Sequence, residues 1–260
     1  MELIDTHCHL TFEQLAGDIE AVVDRSRAAG VAGWITVGTD PQHNRKAVEL
    51  ASRFENMYAA VGIHPHDAKD VTDRTMAELK ELARSEKVVA IGETGLDFHY
   101  DFSPRQEQRR LFEAQLEIAR KLNLPVIIHS REAFDETIDI LEQFIDIKGR
   151  LKGVVFHCFS GSARQARIVL DHGFYISFTG VVTFKNAEKT REAAKIVPAD
   201  RLMLETDCPY MSPAPMRKQK INEPALMVHT ASFLAELKEM DETDFARAVT
   251  AASKSFFGLP

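Results

Sequence analysis

The chain has 260 residues, of which 45% are hydrophobic and 27% charged, and it carries a formal net charge of −7. The acidic balance argues against a protein that coats nucleic acid through a basic surface, although it permits a nucleic-acid enzyme whose bound cations supply positive charge locally. No run approaches the roughly 18 apolar residues of a membrane-spanning helix. The N-terminus also lacks the basic stretch followed by an apolar run that would predict a signal peptide.

Short apolar and β-branched runs predict eight strands, separated by segments with helical periodicity. The strands are expected near residues 2–8, 33–38, 57–63, 88–93, 124–129, 152–157, 173–178 and 201–206. Ser103 and Pro104 predict the start of a long helix, and Asn123 predicts its end. A loop over 208–222 and two helices, near 223–238 and 241–256, are expected to follow the last strand.

Strand–helix alternation repeated eight times predicts parallel pairing throughout. Eight such units in about 260 residues indicate a (β/α)8 TIM barrel, and no linker divides the chain, so we expect a single domain over 1–260. An open, doubly wound sheet is the alternative. Such a sheet usually has a glycine-rich phosphate loop after its first strand, where this chain has His7, Cys8 and His9.

Histidines and acids stand at the C-terminal ends of the predicted strands, which all open on one face of a barrel. These residues are His7 and His9, His64 and His66, Glu93 and Asp97, His129, His157, and Glu205 and Asp207. A single histidine in such a place is usually an ordinary hydrogen-bonded residue, and His66 is assigned to that class. The recurrence at several strand ends favours a metal site.

Strand alternation turns Cys8 away from His7 and His9, so the cysteine is expected to be an apolar filler. Cys158 and Cys208 stand in the same relation to His157 and Asp207. The remaining imidazole and carboxylate set suits zinc or manganese, and also magnesium if waters complete the shell.

Six candidate ligands exceed the needs of one tetrahedral ion, so we hypothesise two divalent metal ions. Glu93 is expected to bridge them, with His7, His9 and Asp207 around one ion and His129 and His157 around the other.

Several motifs occur in the order seen in the TatD family. They are IDTHCH at 4–9, GIHPH at 62–66, GETGLD at 92–97, HSREA at 129–133, FHCFSGS at 156–162 and LMLETDCPY at 202–210. The chain resembles that family over essentially its whole length. The resemblance implies a TIM-barrel metal-dependent hydrolase, related to the amidohydrolases and described as a deoxyribonuclease. It also implies His7, His9, Glu93, His129, His157 and Asp207 as ligands, with His64 and Glu205 as site neighbours. The chain departs from the family at Thr11, where an acid is common, and in the loop over 215–224.

Asp207, at a strand end, is the expected general base, although a ligand carboxylate is also needed there simply to hold an ion. Glu205 lies one layer deeper on the same face, where it either orients neighbouring groups or touches water or metal directly. Arg131 and Arg217 are the expected phosphate contacts. Phe98, Phe184 and Tyr210 are candidates for stacking on bases, although aromatic residues in such loops often serve packing.

The leading hypothesis is an exonuclease-type deoxyribonuclease that cleaves phosphodiester bonds of DNA with a metal-activated water. A small-molecule amidohydrolase or lactonase with the same metal site is the rival, and a non-catalytic metal-binding scaffold is a third class. We expect a monomer that needs neither a membrane nor an obligate protein partner. Three cysteines, an odd number, predict reduced thiols and a cytoplasmic location.

Overall fold

The computed structural model describes residues 2–100 and 102–260, and in these ranges eight strands alternate with helices. The strands are β1 (Leu3–Cys8), β2 (Val31–Val37), β3 (Met57–Val61), β4 (Val88–Asp97), β5 (Val126–Arg131), β6 (Val154–Phe156), β7 (Tyr175–Phe178) and β8 (Leu202–Leu204). The helices are α1 (Glu13–Ala16), α2 (Ile19–Ala28), α3 (Pro41–Arg53), α4 (Asp73–Leu82), α5 (Arg105–Leu122), α6 (Phe134–Lys148), α7 (Ala163–Asp171), α8 (Glu188–Ile196), α9 (Met227–Leu237) and α10 (Glu242–Phe257). Short 3-10 turns cover Pro65–Asp70, Gly180–Thr183, Ala199–Arg201 and Pro224–Leu226.

The strands belong to one eight-stranded sheet in which their order is their order in the chain. The pairs β1–β2, β3–β4, β4–β5, β5–β6 and β7–β8 are parallel. This order, with a helix after each strand, is the topology of a (β/α)8 barrel. The predicted fold class is therefore confirmed.

Two compact units divide the chain. The terminal unit comprises the residues up to Thr36 together with His157–Pro260, and the central unit comprises Val37–Phe156. Each has its own buried apolar side chains. They include Leu3, Ile35, Phe178, Leu204 and Phe245 in the terminal unit, and Met57, Ile91, Phe112, Leu116 and Ile128 in the central unit. A single domain over 1–260 stays a prediction.

The helix predicted after Ser103 is α5, which follows Pro104 and ends at Leu122. Asn123 closes it in the left-handed conformation, with φ 52°, and Asn tolerates this region better than most residues. In the described part of the chain, none of the helices is both long and apolar enough to cross a membrane.

Strand β4 runs four residues beyond its predicted end at Glu93, as far as Asp97. Gly95 permits the extension, because its φ is +136° and a Cβ there would lie 2.0 Å from the carbonyl oxygen of His129. The register pairs Gly95 with His129 and Asp97 with Arg131. The close approach of β4 and β5 therefore brings two acids of β4, Glu93 and Asp97, to the histidine of β5.

Candidate metal centre

The terminal unit brings His7, His9 and Asp207 together. His7 Nε2 lies 3.2 Å from His9 Nε2 and 3.8 Å from Asp207 Oδ1, and His9 Nε2 lies 3.3 Å from the same oxygen. Both histidines are buried, and 13% of the Asp207 side chain is exposed. Three potential ligand atoms thus converge from the C-terminal ends of β1 and β8.

Hydrogen bonds between the ends of β1 and β8 fix this arrangement. The N–H of Asp207 donates to the His7 carbonyl at 2.9 Å. Asp5 accepts from the N–H and the hydroxyl of Thr206 at 3.0 and 2.6 Å, and from the N–H of His7 at 3.3 Å. Burial raises the pKa of Asp5 to about 7 despite these hydrogen bonds. Asp5 thus ties Thr206, the residue before Asp207, to the first strand.

Glu205 lies deeper in the terminal unit and is 1% exposed. It accepts hydrogen bonds from the N–H of Cys158 at 2.5 Å and the hydroxyl of Ser177 at 2.6 Å. Its Oε1 lies 3.6 Å from His157 Nδ1, and the ring of His157 stacks on that of His7 at 4.0 Å. His7, His157 and Glu205 form a second group whose potential ligand atoms lie within 4.8 Å of one another.

The central unit contains a third group, made by His64, Glu93 and His129. Glu93 Oε1 lies 2.8 Å from His129 Nδ1 and 3.5 Å from His64 Nε2. Glu93 is buried, and the side chains of His64 and His129 are 12% and 18% exposed. His64, which was expected only as a neighbour of the site, therefore offers a nitrogen to the same carboxylate as His129. The proposed bridging role of Glu93 stays a prediction.

Asp97 stands behind His129 in the central unit. Its Oδ2 lies 3.0 Å from His129 Nε2 and 2.9 Å from His66 Nε2. Sequence reasoning noted Asp97 at the end of its strand but gave it no role, and it placed His66 among the ordinary histidines. The spacing of Glu93, Gly95 and Asp97 could have indicated that the two acids lie on the same face, because residues i, i+2 and i+4 of a strand share one face.

The environment sets the protonation of these side chains. Burial lowers the pKa of His64 to about 4, against the opposing effect of Glu93, so this imidazole is neutral at pH 7. Burial would raise the pKa of Asp97, but its hydrogen bonds with His129 and His66 lower it well below the usual range. Burial would likewise raise the pKa of Asp207. Its hydrogen bond with His9 and its interaction with the nearby His7 together lower that pKa by more than burial raises it. Both carboxylates are therefore ionised at neutral pH.

The geometry in both units fits divalent cations. Two ligand atoms about 2.0–2.2 Å from one tetrahedral ion lie about 3.3–3.6 Å apart, and the His7, His9 and Asp207 atoms are 3.2, 3.3 and 3.8 Å apart. His129 has a carboxylate at each nitrogen, whereas a neutral imidazole carries one N–H. With Nδ1 offered to a cation, the N–H at Nε2 would donate to Asp97, and second carboxylates orient metal-binding histidines in this way.

The predicted phosphate contacts are exposed, Arg131 at the end of β5 and Arg217 in the loop that follows β8. The Arg131 guanidinium sits over the ring of Tyr100 at 4.8 Å, and that of Arg217 over Phe184 at 3.6 Å. Phe98 packs against Arg105 at 4.1 Å, which favours its packing role. Tyr210 is 49% exposed and lies 6.3 Å from Phe12, whose ring stacks on His9.

The three cysteines are free thiols, and none belongs to the three donor groups found in the described ranges. Cys8 is buried and its Sγ contacts the carbonyl of Ile35 at 3.2 Å, on the side of β1 away from the two histidines. Cys208 is also buried. Their expected role as small apolar fillers agrees with this placement.

Comparisons with known proteins extend over nearly the whole chain. A model of the family described as TatD related DNase matches residues 4–258. The uncharacterized metal-dependent hydrolase YabD of Bacillus subtilis is 44% identical over 257 residues, which are 99% of either chain. The 3'-5' ssDNA/RNA exonuclease TatD of Citrobacter koseri is 37% identical over 261 residues, again 99% of each. The crystal structure of YJJV, a TatD homolog from Escherichia coli K12, superposes with a TM-score of 0.92 at 33% identity and covers 99% of this chain and 98% of its own.

Proposed function

The chain belongs to the TatD-related DNase family and is a metal-dependent hydrolase, and on that premise we propose that it is a deoxyribonuclease of the exonuclease type. Its substrate is the phosphodiester backbone of DNA, and its cofactors are two divalent metal ions. The resemblance to a 3'-5' ssDNA/RNA exonuclease supports cleavage from the 3' end. It also makes RNA the first further substrate to test.

The observation that carries this proposal is that each unit has its own group of imidazoles around a carboxylate. His7, His9 and Asp207 would hold one ion, and His64, Glu93 and His129 would hold the other. Ions held there supply charge neutralisation for the phosphate and lower the pKa of a bound water toward neutrality.

The remaining steps fall to the side chains. Asp207 is ionised at neutral pH, as a residue that accepts a proton from the attacking water must be. Glu205 holds His157 and the backbone of Cys158 in place from beneath, and an orienting role suits its burial better than contact with water. Arg131 and Arg217 remain the proposed contacts to phosphate.

The test uses protein stripped with a chelator and reloaded with manganese. The substrates are single- and double-stranded DNA, an RNA of the same sequence, a simple phosphodiester, an ester and an amide. We expect turnover of the phosphodiesters and the release of mononucleotides from the 3' end. Turnover of the ester or the amide without phosphodiester cleavage would support the amidohydrolase or lactonase rival.

Asp207→Asn and Glu93→Gln serve as active-site controls in that assay. Both substitutions preserve size and remove a negative charge. If DNA cleavage persisted in both variants, the activity would come from a contaminating nuclease and the proposal would fail.

A further inference from the structure

Two large aromatic side chains stand exposed just after β4, in the central unit. Tyr100 is 39% exposed and Phe102 is 54% exposed. Their rings stack with centroids 5.2 Å apart and planes 9° from parallel, and both meet the ring of His66 nearly edge-on. We call Tyr100 and Phe102 the aromatic platform. An exposed stacked pair offers a planar ligand the kind of surface on which another ring can stack.

The backbone around the aromatic platform is held in place. Asp97 Oδ1 accepts hydrogen bonds from the N–H of His99 and of Tyr100, at 2.9 and 3.0 Å. Gln108 donates to the carbonyls of Asp97 and of Ser103, and the hydroxyl of Ser103, itself 1% exposed, donates to the carbonyl of His66. Hydrogen bonds therefore hold the backbone at Tyr100 and at Ser103, on the two sides of the exposed rings.

Positive charge lies beside the platform. The Arg131 guanidinium is 4.8 Å from the centre of the Tyr100 ring. The nearby carboxylate of Glu132 is paired, since its Oε1 lies 2.7 Å from His99 Nδ1. The Arg131 guanidinium is a donor that an anionic group near the platform can contact.

The platform adjoins the candidate metal group of the same unit. The ring of His66, which both platform rings touch, lies 4.2 Å from the ring of His64. His66 also shares Asp97 with His129. The ring of His66 therefore separates a ligand stacked on the aromatic platform from the group of His64, Glu93 and His129, which is proposed to bind the phosphate.

We propose that Tyr100 and Phe102 bind an unpaired base of single-stranded DNA by stacking, while Arg131 contacts the phosphate attached to that nucleotide. The inference rests on the proposed phosphodiesterase function and adds the subsite that selects a strand carrying bases. Stacking on an aromatic ring needs an open base face, which a base inside a duplex does not offer. The subsite is thus selective for single strands and tolerant of base identity.

The first experiment measures KM and kcat of the manganese-loaded enzyme on a single-stranded oligonucleotide and on the same strand with abasic 3'-terminal nucleotides. Tyr100→Leu and Phe102→Leu keep an apolar side chain and remove the ring. We expect each to raise KM for the complete strand by about tenfold, with kcat unchanged and with no effect on the abasic strand. Equal effects on both substrates, or no effect on either, would overturn the proposal.

Tyr58→Leu is the matched control. Tyr58 also pairs with a cation, since Lys87 Nζ lies 5.0 Å from its ring, but it stands at the start of β3, away from the strand end that leads to His64. We expect it to leave both substrates unaffected. If Tyr58→Leu also abolished the difference between the complete and the abasic strand, the loss of any tyrosine would act through the stability of the protein. That result would also overturn the proposal.

The second experiment measures binding of the two labelled oligonucleotides by fluorescence anisotropy in EDTA, where no hydrolysis occurs. The complete strand should bind about tenfold more tightly than the abasic strand, and the platform variants should abolish that difference. Arg131→Gln should weaken both strands equally, because a phosphate contact does not depend on the base. This binding experiment tests base stacking on the aromatic platform even if the manganese-loaded enzyme cleaves no phosphodiester. In that case the proposed function alone would fail.

Discussion

The terminal and central units hold similar donor residues in different surroundings. In the terminal unit, His7 and His9 are buried, and Asp5 and Thr206, 201 residues apart in the chain, bind the supporting strands to each other. In the central unit, His64 and His129 are partly exposed and the neighbouring loop carries the exposed aromatic platform. The two groups therefore differ in the burial of their histidines and in the exposed aromatic residues near them.

The largest expected effect comes from the carboxylates themselves. Asp207→Asn should lower kcat by about 10²–10⁴-fold, because it removes the proposed proton acceptor. It should lower metal occupancy in the terminal group only, whereas Glu93→Gln should lower the content of both ions if Glu93 bridges them. Elemental analysis of reloaded protein and steady-state hydrolysis together measure this.

Asp171→Asn, at the exposed end of α7, is the control for the carboxylate variants and should keep full metal content. Loss of a single ion in Glu93→Gln would contradict the bridge and leave two independent sites.

A smaller effect is expected from the acid behind the central group. Asp97→Asn should weaken metal binding by the central group by about 10–100-fold, because Asp97 orients His129. Titration calorimetry with manganese should resolve a weakened class of site beside an unchanged one. Asp146→Asn, on the exposed surface of α6, should alter neither. Equal weakening of both classes would show that Asp97 acts on the whole fold.

The two units should also respond in opposite ways to pH in metal-free protein. Asp5 has a folded pKa of about 7 against an ordinary 3.8, so the folded state binds the extra proton between these values and stability falls as pH rises. His64 has a folded pKa of about 4 against 6.5, so the unfolded state binds the extra proton and stability falls as pH falls. Each slope is at most about 1.4 kcal/mol per pH unit.

Asp5→Asn and His64→Asn separate the two contributions. Urea denaturation between pH 4.5 and 6.5, followed by the fluorescence of the single tryptophan, should give a more positive slope for Asp5→Asn and a more negative one for His64→Asn. Identical slopes in both variants and in the parent chain would contradict the assigned shifts.

The smallest effect concerns an ion pair of the terminal unit. Arg25 makes three contacts of 2.7–3.0 Å with Glu223, far along the chain. Because about half of the Arg25 side chain is exposed, Arg25→Ala should lower the free energy of unfolding by less than about 1 kcal/mol. Arg84→Ala, which removes 3.5 Å contacts with the Glu81 carboxylate and the Lys80 carbonyl in the central unit, should have no measurable effect. If Arg25→Ala lowered the free energy of unfolding by the same amount in 1 M salt, packing rather than charge would stabilise the contact.

The order of the strands and the chemistry at their ends were predictable because both are periodic. Alternation placed His7 and His9 on one side of β1 and Cys8 on the other, and the structure has that arrangement. The grouping of the residues was harder to predict. Strand ends on one face of a barrel share a direction, but their spacing depends on register and twist, so the stacking of His157 on His7 and its closeness to Glu205 could not be predicted from the sequence.

Local backbone detail accounts for the residues that were missed. The role of Asp97 depends on Gly95, whose positive φ extends β4 past its predicted end. Of the three residues predicted to stack on bases, Phe98 packs against Arg105 and Tyr210 is exposed, whereas the exposed Tyr100 and Phe102 were not among the candidates. The direction of side chains in an irregular loop follows from its hydrogen bonds, which no periodicity encodes.

The Asp5–Thr206 hydrogen bonds join two segments of the chain that leave the ribosome far apart in time. At about 5–20 residues per second, His7 emerges roughly 10–40 s before Asp207. His64, Glu93 and His129 all emerge within that interval. The nascent chain can therefore complete its central donor group while the two histidines that it made first still await their carboxylate, and the first cation it captures should be the central one.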